Sequence, residues 1–246
     1  MSQIQSFYKK LDVVKGFSED ALFSHVLKQF LPVPNSRLLD IGCLEGIKTV
    51  LAREVVQASE TYGIDFIENR FAEAEARGIH TQCIDLNNEL PLRFSSEYFD
   101  VILCSEVIEH LFSPDDLMDE IARLLRPGGY AIITTPNLAC WKNRLVMLFG
   151  WQPFYTEIST RARYGNPLAP AGLPSGHIRL FTQRALCELA RASGLQVEKI
   201  ANISSSEPTR ILISKASRII NAVIVPLWPS MGDRIILRLR KPGRHY

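Results

Sequence analysis

The feature that most constrains this 246-residue chain is the run Arg37-Leu38-Leu39-Asp40-Ile41-Gly42-Cys43-Leu44-Glu45-Gly46, an apolar stretch that meets a carboxylate and then a turn punctuated by glycine. A short apolar run bounded in this way reads as a strand buried on both faces. Glycines after such a strand allow a tight turn and close backbone approach to a ligand at the N-terminus of the next helix. The spacing is Asp-x-Gly-x-x-x-Gly, with Leu44 where a dinucleotide fingerprint, G-x-G-x-x-G, would carry its middle glycine. Asp40 would repel a pyrophosphate there, whereas it suits a ligand bearing an ammonium and a sulfonium.

The pattern recurs downstream. A helix is expected over 47–56, then a second apolar strand, Thr61-Tyr62-Gly63-Ile64-Asp65, again ends in a carboxylate. An acidic residue about 20 positions beyond such a turn accepts hydrogen bonds from ribose hydroxyls, and Asp65 stands 19 past Gly46. Phe66 would then lie against an adenine face. A helix over 68–77, closed by Gly78, leads to a third strand, 80–84, which ends in Asp85-Leu86. The fourth strand, 100–105, is followed by Glu106-Val107-Ile108-Glu109-His110-Leu111. Ser113 caps and Pro114 opens a helix over 115–125, and Arg126-Pro127-Gly128-Gly129 turns into a fifth strand, 130–135.

The first turn resembles motif I of the class I (Rossmann-like) S-adenosylmethionine-dependent methyltransferases, [DE]-x-G-x-G-x-G, with Leu44 as the departure. The strings F-D-V-I-L-C-S-E-V-I-E-H-L and L-L-R-P-G-G-Y-A-I-I-T-T-P-N extend the likeness, and the chain is identified as a member of that family over about residues 37–137, more weakly over 177–194 and 232–241. The resemblance implies an α/β fold with a seven-stranded, mostly parallel sheet flanked by helices, its last strand antiparallel. It implies S-adenosylmethionine as cofactor, held by Asp40, Gly42, Cys43, Gly46, Asp65, Phe66, Asp85, Leu86 and Ser105. E-x-x-E-H, here Glu106, Glu109 and His110, also looks like the metal-binding string of small-RNA 2′-O-methyltransferases and some ubiquinone-biosynthesis O-methyltransferases. Relatives that use no metal carry the same letters, and the expected site contains none.

The remainder of the chain is read as completing one domain. Residues 1–36 form a lid or bracing segment with a helix over 20–30 capped by Ser18, and Tyr8 or Phe17 stands near the cofactor or in the core. Residues 138–176 are a long insertion after the fifth strand, rich in aromatic residues and proline, and read as a substrate cap. From 137 to 184 there are six basic residues (Lys142, Arg144, Arg161, Arg163, Arg179, Arg184) against Glu157 alone. Residues 1–136 hold 12 Lys and Arg against 21 Asp and Glu, net −9, and residues 137–246 hold 16 against 5, net +11. That asymmetry favours an anionic acceptor. Residues 177–246 complete the sheet, with a basic apolar stretch over 211–228 that either packs on it or lies on a membrane surface, and a half-exposed strand over 234–240. Five cysteines without C-x-x-C spacing read as reduced thiols, and neither a secretory signal nor a run of about 20 apolar residues is visible, so a cytoplasmic location is expected, peripheral at the inner membrane surface only if 211–228 lies on a membrane rather than on the sheet.

A sulfonium-borne methyl needs alignment rather than a protein nucleophile. For an oxygen acceptor a base is useful, and Glu109, His110 and His177 are the candidates. The expected function is methyl transfer to a small or lipid- or glycan-linked acceptor that carries negative charge. The alternatives are RNA methylation, disfavoured because the basic half has no recognisable RNA-binding module, and a non-catalytic cofactor-binding partner subunit.

Overall fold

Strand β1 (Ser36–Ile41) is apolar on both faces because helices cover it on both sides. The computed structural model describes residues 21–169, 174–204 and 221–244, apart from 222, 224 and 226. Around β1 stand β2 (Ala58–Asp65), β3 (His80–Cys83), β4 (Phe99–Ser105), β5 (Leu125–Pro136), β6 (Gln196–Ile203) and β7 (Arg234–Arg240), in the order β3-β2-β1-β4-β5-β7-β6. The first five run parallel, and β7 is antiparallel to both β5 and β6. The expected seven-stranded Rossmann-like sheet is therefore present. Chain order reverses between β1 and β4, and their carboxyl ends form the crevice where such sheets bind ligands.

The two faces of β4 show how the core is divided. Val101 and Leu103 pack with helix α1 (Ala21–Leu27) and helix α2 (Ile47–Val56), through Phe23, Val26, Leu51 and Ala52. Ile102 and Cys104 point the other way, to α4 (Pro114–Leu124) and α6 (Gln183–Ala192). The described part of the N-terminal segment thus braces the sheet; Ser18, Tyr8 and Phe17 lie outside the described residues. The helix expected over 68–77 is a 3-10 turn at Glu68–Arg70 that leads into α3 (Phe71–Ala76), and Gly78 follows with φ +78°. Ser113 caps α4 by accepting the Asp116 N–H.

Strand β7 differs from the half-exposed terminal strand its Ile/Arg alternation suggests. It lies between β5 and β6, and five of its seven residues, Arg234 included, are buried. Its arginines are accommodated because each finds a partner: Arg234 pairs with Glu106, while Arg238 and Arg240 pair with Glu198. Most of the stretch 211–228 expected to be basic and apolar lies outside the described residues. After β5 the chain forms α5 (Trp141–Leu148) and then the cap, which Asn143 ties down by accepting the Phe154 N–H at 2.7 Å. Lys142 and Asp233 make a buried ion pair at 2.9 Å beneath it. No described helix is long and apolar enough to cross a membrane.

Candidate active site

At the carboxyl ends of β1, β2 and β4 lies a cleft of about 590 Å³, lined by Gly42, Asp65, Phe66, Asp85, Leu86 and Glu106 among others. Gly42 has φ +85°, and a Cβ there would lie 2.5 Å from Val107 Cγ2, so the close turn requires glycine. Asp65, 7 % exposed, accepts the Leu44 N–H at 3.0 Å and the Ile67 N–H at 3.0 Å. Leu44 itself adopts φ +46°, a left-handed conformation costing about 1–2 kcal/mol for an L-residue. The Asp65 bond fixes the turn in that shape. Asp85 folds back on its own loop, accepting the Asn87 N–H and an Asn88 Nδ2 proton at 2.7 Å. Phe66 is 72 % exposed, a free ring at the mouth of the cleft.

Four of the residues the resemblance implies stand behind this wall rather than on it. Asp40 is 2 % exposed and accepts the Thr49 hydroxyl, which pins the start of α2 to the tip of β1. Burial pushes its carboxyl up to about 6. Cys43 is buried under the turn against Gly63, where any Cβ would lie 2.6 Å from its sulfur. Gly46 caps α2 in a left-handed conformation, with Ile79 where a side chain would go. Ser105 bonds Thr134 on the neighbouring strand.

The residue after Ser105 faces the cleft instead. Glu106 has φ +57°, accepts the Thr134 hydroxyl at 3.0 Å and accepts Arg234 Nε at 2.8 Å. A non-glycine residue held in this region is strained, and such strain clusters at functional sites. Three residues on, Glu109 is fully buried: one carboxylate oxygen accepts the Thr135 hydroxyl and the other, Oε1, has no hydrogen-bond partner among the described residues. Burial, and then the Glu106 charge, hold its carboxyl well above the ordinary carboxylate range.

Beside Glu109 stand two imidazoles with centroids 5.0 Å apart, His110 and His177. His110 Nδ1 faces the Gly176 carbonyl at 3.0 Å, and His177 Nδ1 faces the Tyr155 carbonyl at 3.0 Å. A carbonyl only accepts, so each Nδ1 carries a proton and each Nε2 is the nitrogen turned away from that bond. Burial, with His110 alongside, holds His177 below the ordinary histidine range, so its ring is neutral at physiological pH. One ligand atom from each of Glu109, His110 and His177 lies within 4.8 Å of the others. Two imidazoles, each fixed at Nδ1 by a carbonyl, and a buried carboxylate oxygen without a hydrogen bond from the described residues fit a divalent cation. The three candidates are thus brought to one place.

The cap adds a second cavity of about 200 Å³, lined by Tyr155, Glu157, Arg163, Tyr164, His177 and Arg234 among others. Ser175 lines both cavities, as His110 does the cleft and His177 the cap. The guanidinium of Arg234 lies 4.5 Å from the Tyr155 ring centroid, and Tyr155 has φ +69°. Glu106 was visible in the sequence only as the first letter of the E-x-x-E-H string, and Arg234, Tyr155 and Glu157 carried no signal that joined them to the expected set.

A seven-stranded sheet of this order with a cleft at its switch point is the fold of the class I S-adenosylmethionine-dependent methyltransferases, whose cofactor is S-adenosylmethionine. The chain belongs to the family described as "Methyltransferase domain", whose model matches residues 17–200. It is 29 % identical over 172 residues to a ubiquinone biosynthesis O-methyltransferase of Aeromonas salmonicida, covering 68 % of this chain and 66 % of that protein. It is 32 % identical over 168 residues to a probable S-adenosylmethionine-dependent methyltransferase of Mycolicibacterium smegmatis, covering 65 % of this chain and 62 % of that one. Among solved structures, a methyltransferase from Mesorhizobium loti superposes with a TM-score of 0.59 at 19 % identity, over 90 % of this chain and 98 % of the other. The [4+2]-cyclase SpnF superposes at 0.58 with 21 % identity, covering 92 % of this chain and 82 % of its own, so the fold alone does not name the acceptor.

Proposed function

We propose that the protein methylates an oxygen of a small acceptor, free or lipid- or glycan-linked, that sits in the cap cavity and carries a negatively charged group. The observation that carries this reading is the wall shared by the two cavities, where Ser175, His110 and His177 stand between cofactor cleft and cap. The names of the ubiquinone O-methyltransferases that the chain resembles support oxygen as the methylated atom and a ring-bearing acceptor.

Bound S-adenosylmethionine supplies a methyl group on a positively charged sulfur. Asp65 would accept the ribose hydroxyls, Phe66 and Leu86 would flank the adenine, and Glu106, paired with Arg234, would stand on the sulfonium side, a reading supported by their place in the cleft wall. A hydroxyl that accepted that methyl would have to give up its proton. His177, its basicity lowered by burial and its Nδ1 bonded to the Tyr155 carbonyl, would take that proton through Nε2. Arg163, which lines the cap cavity, meets the acceptor's anionic group.

The unpartnered Glu109 oxygen favours a second reading at the same spot. Glu109, His110 and His177 would there hold a divalent cation, which lowers the pKa of a bound hydroxyl. Incubation with S-adenosylmethionine and 3,4-dihydroxybenzoate, followed by mass spectrometry, tests the function. Formation of the mono-methyl ether supports it, and no methylation of this or of a panel of anionic phenols and hydroxy acids contradicts it. Loss of product in EDTA and its recovery with Mg²⁺ selects the cation reading; indifference to EDTA selects His177 as the base.

A further inference from the structure

Glu157 is the only acidic residue in the cap, and it is not exposed to solvent: its side chain is 6 % exposed. Its carboxylate accepts three consecutive backbone N–H groups, Ser175 at 2.5 Å, Gly176 at 2.6 Å and His177 at 3.1 Å. Successive N–H groups turned to one side form a concave anion seat, and here the chain's own carboxylate fills it. Bonds from N–H to a carboxylate are about twice as strong as neutral ones.

What those three residues carry gives the contact its meaning. The Gly176 carbonyl fixes His110 Nδ1, and Gly176 has φ +84°, a shape that glycine adopts without strain. His177 presents its own ring, fixed by the carbonyl of Tyr155, two residues before Glu157. Beyond them, the Ile178 and Arg179 N–H groups bond the Glu109 carbonyl at 2.8 and 2.9 Å. The strap 175–179 is therefore gripped from the cap side by 155–157 and from the sheet side by Glu109 and His110. Arg163 adds a bond to Ser175 Oγ at 3.0 Å.

We infer that Glu157 is a positioning residue: its carboxylate, seated on the 175–177 N–H groups, sets the orientation of the His110 and His177 rings toward the acceptor. The inference rests on the methyl-transfer reading above for its kinetic consequence, but not for its geometry. Glu157→Gln keeps the shape and loses one of the two accepting oxygens, and Glu157→Asp keeps the charge with a shorter reach.

With 3,4-dihydroxybenzoate as acceptor, Glu157→Gln is expected to lower kcat about 10- to 100-fold, the cost of a misplaced reacting group. The cofactor dissociation constant by calorimetry should change less than about threefold, since Asp65 and the glycine turn are untouched and only the Ser175–Gly176 edge of the cleft wall lies against the change. Glu157→Asp should recover part of the loss. An unchanged kcat, or a kcat loss matched by an equal loss of cofactor affinity, overturns the inference. The arm that needs no turnover is ¹⁵N NMR of the imidazoles: both rings in the wild type should be single Nδ1–H tautomers, and Glu157→Gln should leave one or both exchange-averaged. Unchanged ring signals in Glu157→Gln overturn it as well, even if the wild type proves inert to the acceptor, which would count against the methyl-transfer reading alone.

Discussion

Asp65, at the tip of β2, reaches back to the neighbouring turn and accepts the Leu44 N–H at 3.0 Å, holding a leucine in the left-handed shape that a glycine would adopt without strain. The same carboxylate lines the cleft at the strand tips, so one side chain both shapes the turn and forms part of the cleft wall.

Replacing Asp65 by Ala removes both roles. Hydrogen bonds to a charged group are worth about 1.5–3 kcal/mol, so the affinity for S-adenosylhomocysteine should fall about 10- to 150-fold. Titration calorimetry measures this directly, and unchanged affinity would remove Asp65 from the site.

Asp40 makes a prediction with two opposite signs. Its carboxyl, raised by burial to about 6 from an ordinary 3.8, binds a proton more tightly in the folded chain than in the unfolded one. The folded protein therefore holds more protons between those values, and this group's contribution to stability declines as pH rises through about 6, by about 3 kcal/mol in all. Asp40→Asn should stabilise the cofactor-free protein at pH 7.5 and change it little at pH 4. The same variant should weaken cofactor binding at pH 7.5, because it removes a negative charge buried behind the wall of a cleft that takes a cationic ligand. Thermal melts and calorimetry at the two pH values check both signs.

Arg163 is expected to read the charge of the acceptor. Arg163→Gln should raise KM for 3,4-dihydroxybenzoate about tenfold and leave that for uncharged catechol nearly unchanged, since loss of a charged hydrogen bond costs about 1.5 kcal/mol or more. An equal rise for both compounds would place Arg163 in the architecture of the strap rather than against the acceptor.

Glu109 supplies the test of the cation reading. Mn²⁺ should bind the wild type with one site by calorimetry, and Glu109→Gln should weaken it at least tenfold, because a hard cation prefers the carboxylate. Equal Mn²⁺ affinity in the two proteins would leave the three side chains as proton-transfer groups only.

The sheet and the cleft were legible because their signals are local. Asp65 announces its role within five residues of Tyr62 and Ile64, and Gly42 within two of Asp40, so apolar runs and glycine spacing were enough. Asp40, Cys43, Gly46 and Ser105 were assigned by position in that pattern, and a one-dimensional pattern does not say which side of the turn a side chain takes. The Glu106–Arg234 pair joins residues 128 apart, and Glu157 meets partners 18 to 20 residues away through backbone N–H groups that every residue but proline has. Nothing in residue identity marks such partners. β7 misled for the same reason: an Ile/Arg alternation reads as one wet face until Glu106 and Glu198 are seen to neutralise it.

The central claim is that the cofactor lies with its ribose on Asp65 and its sulfur on the Glu106 and Ser175 side, toward the cap. A crystal structure with S-adenosylhomocysteine measures this most directly. The account predicts both ribose hydroxyls within about 3 Å of the Asp65 carboxylate and the sulfur at the wall between the cleft and the cap cavity. An adenosyl group seated elsewhere, or a sulfur facing away from His110 and His177, would contradict it.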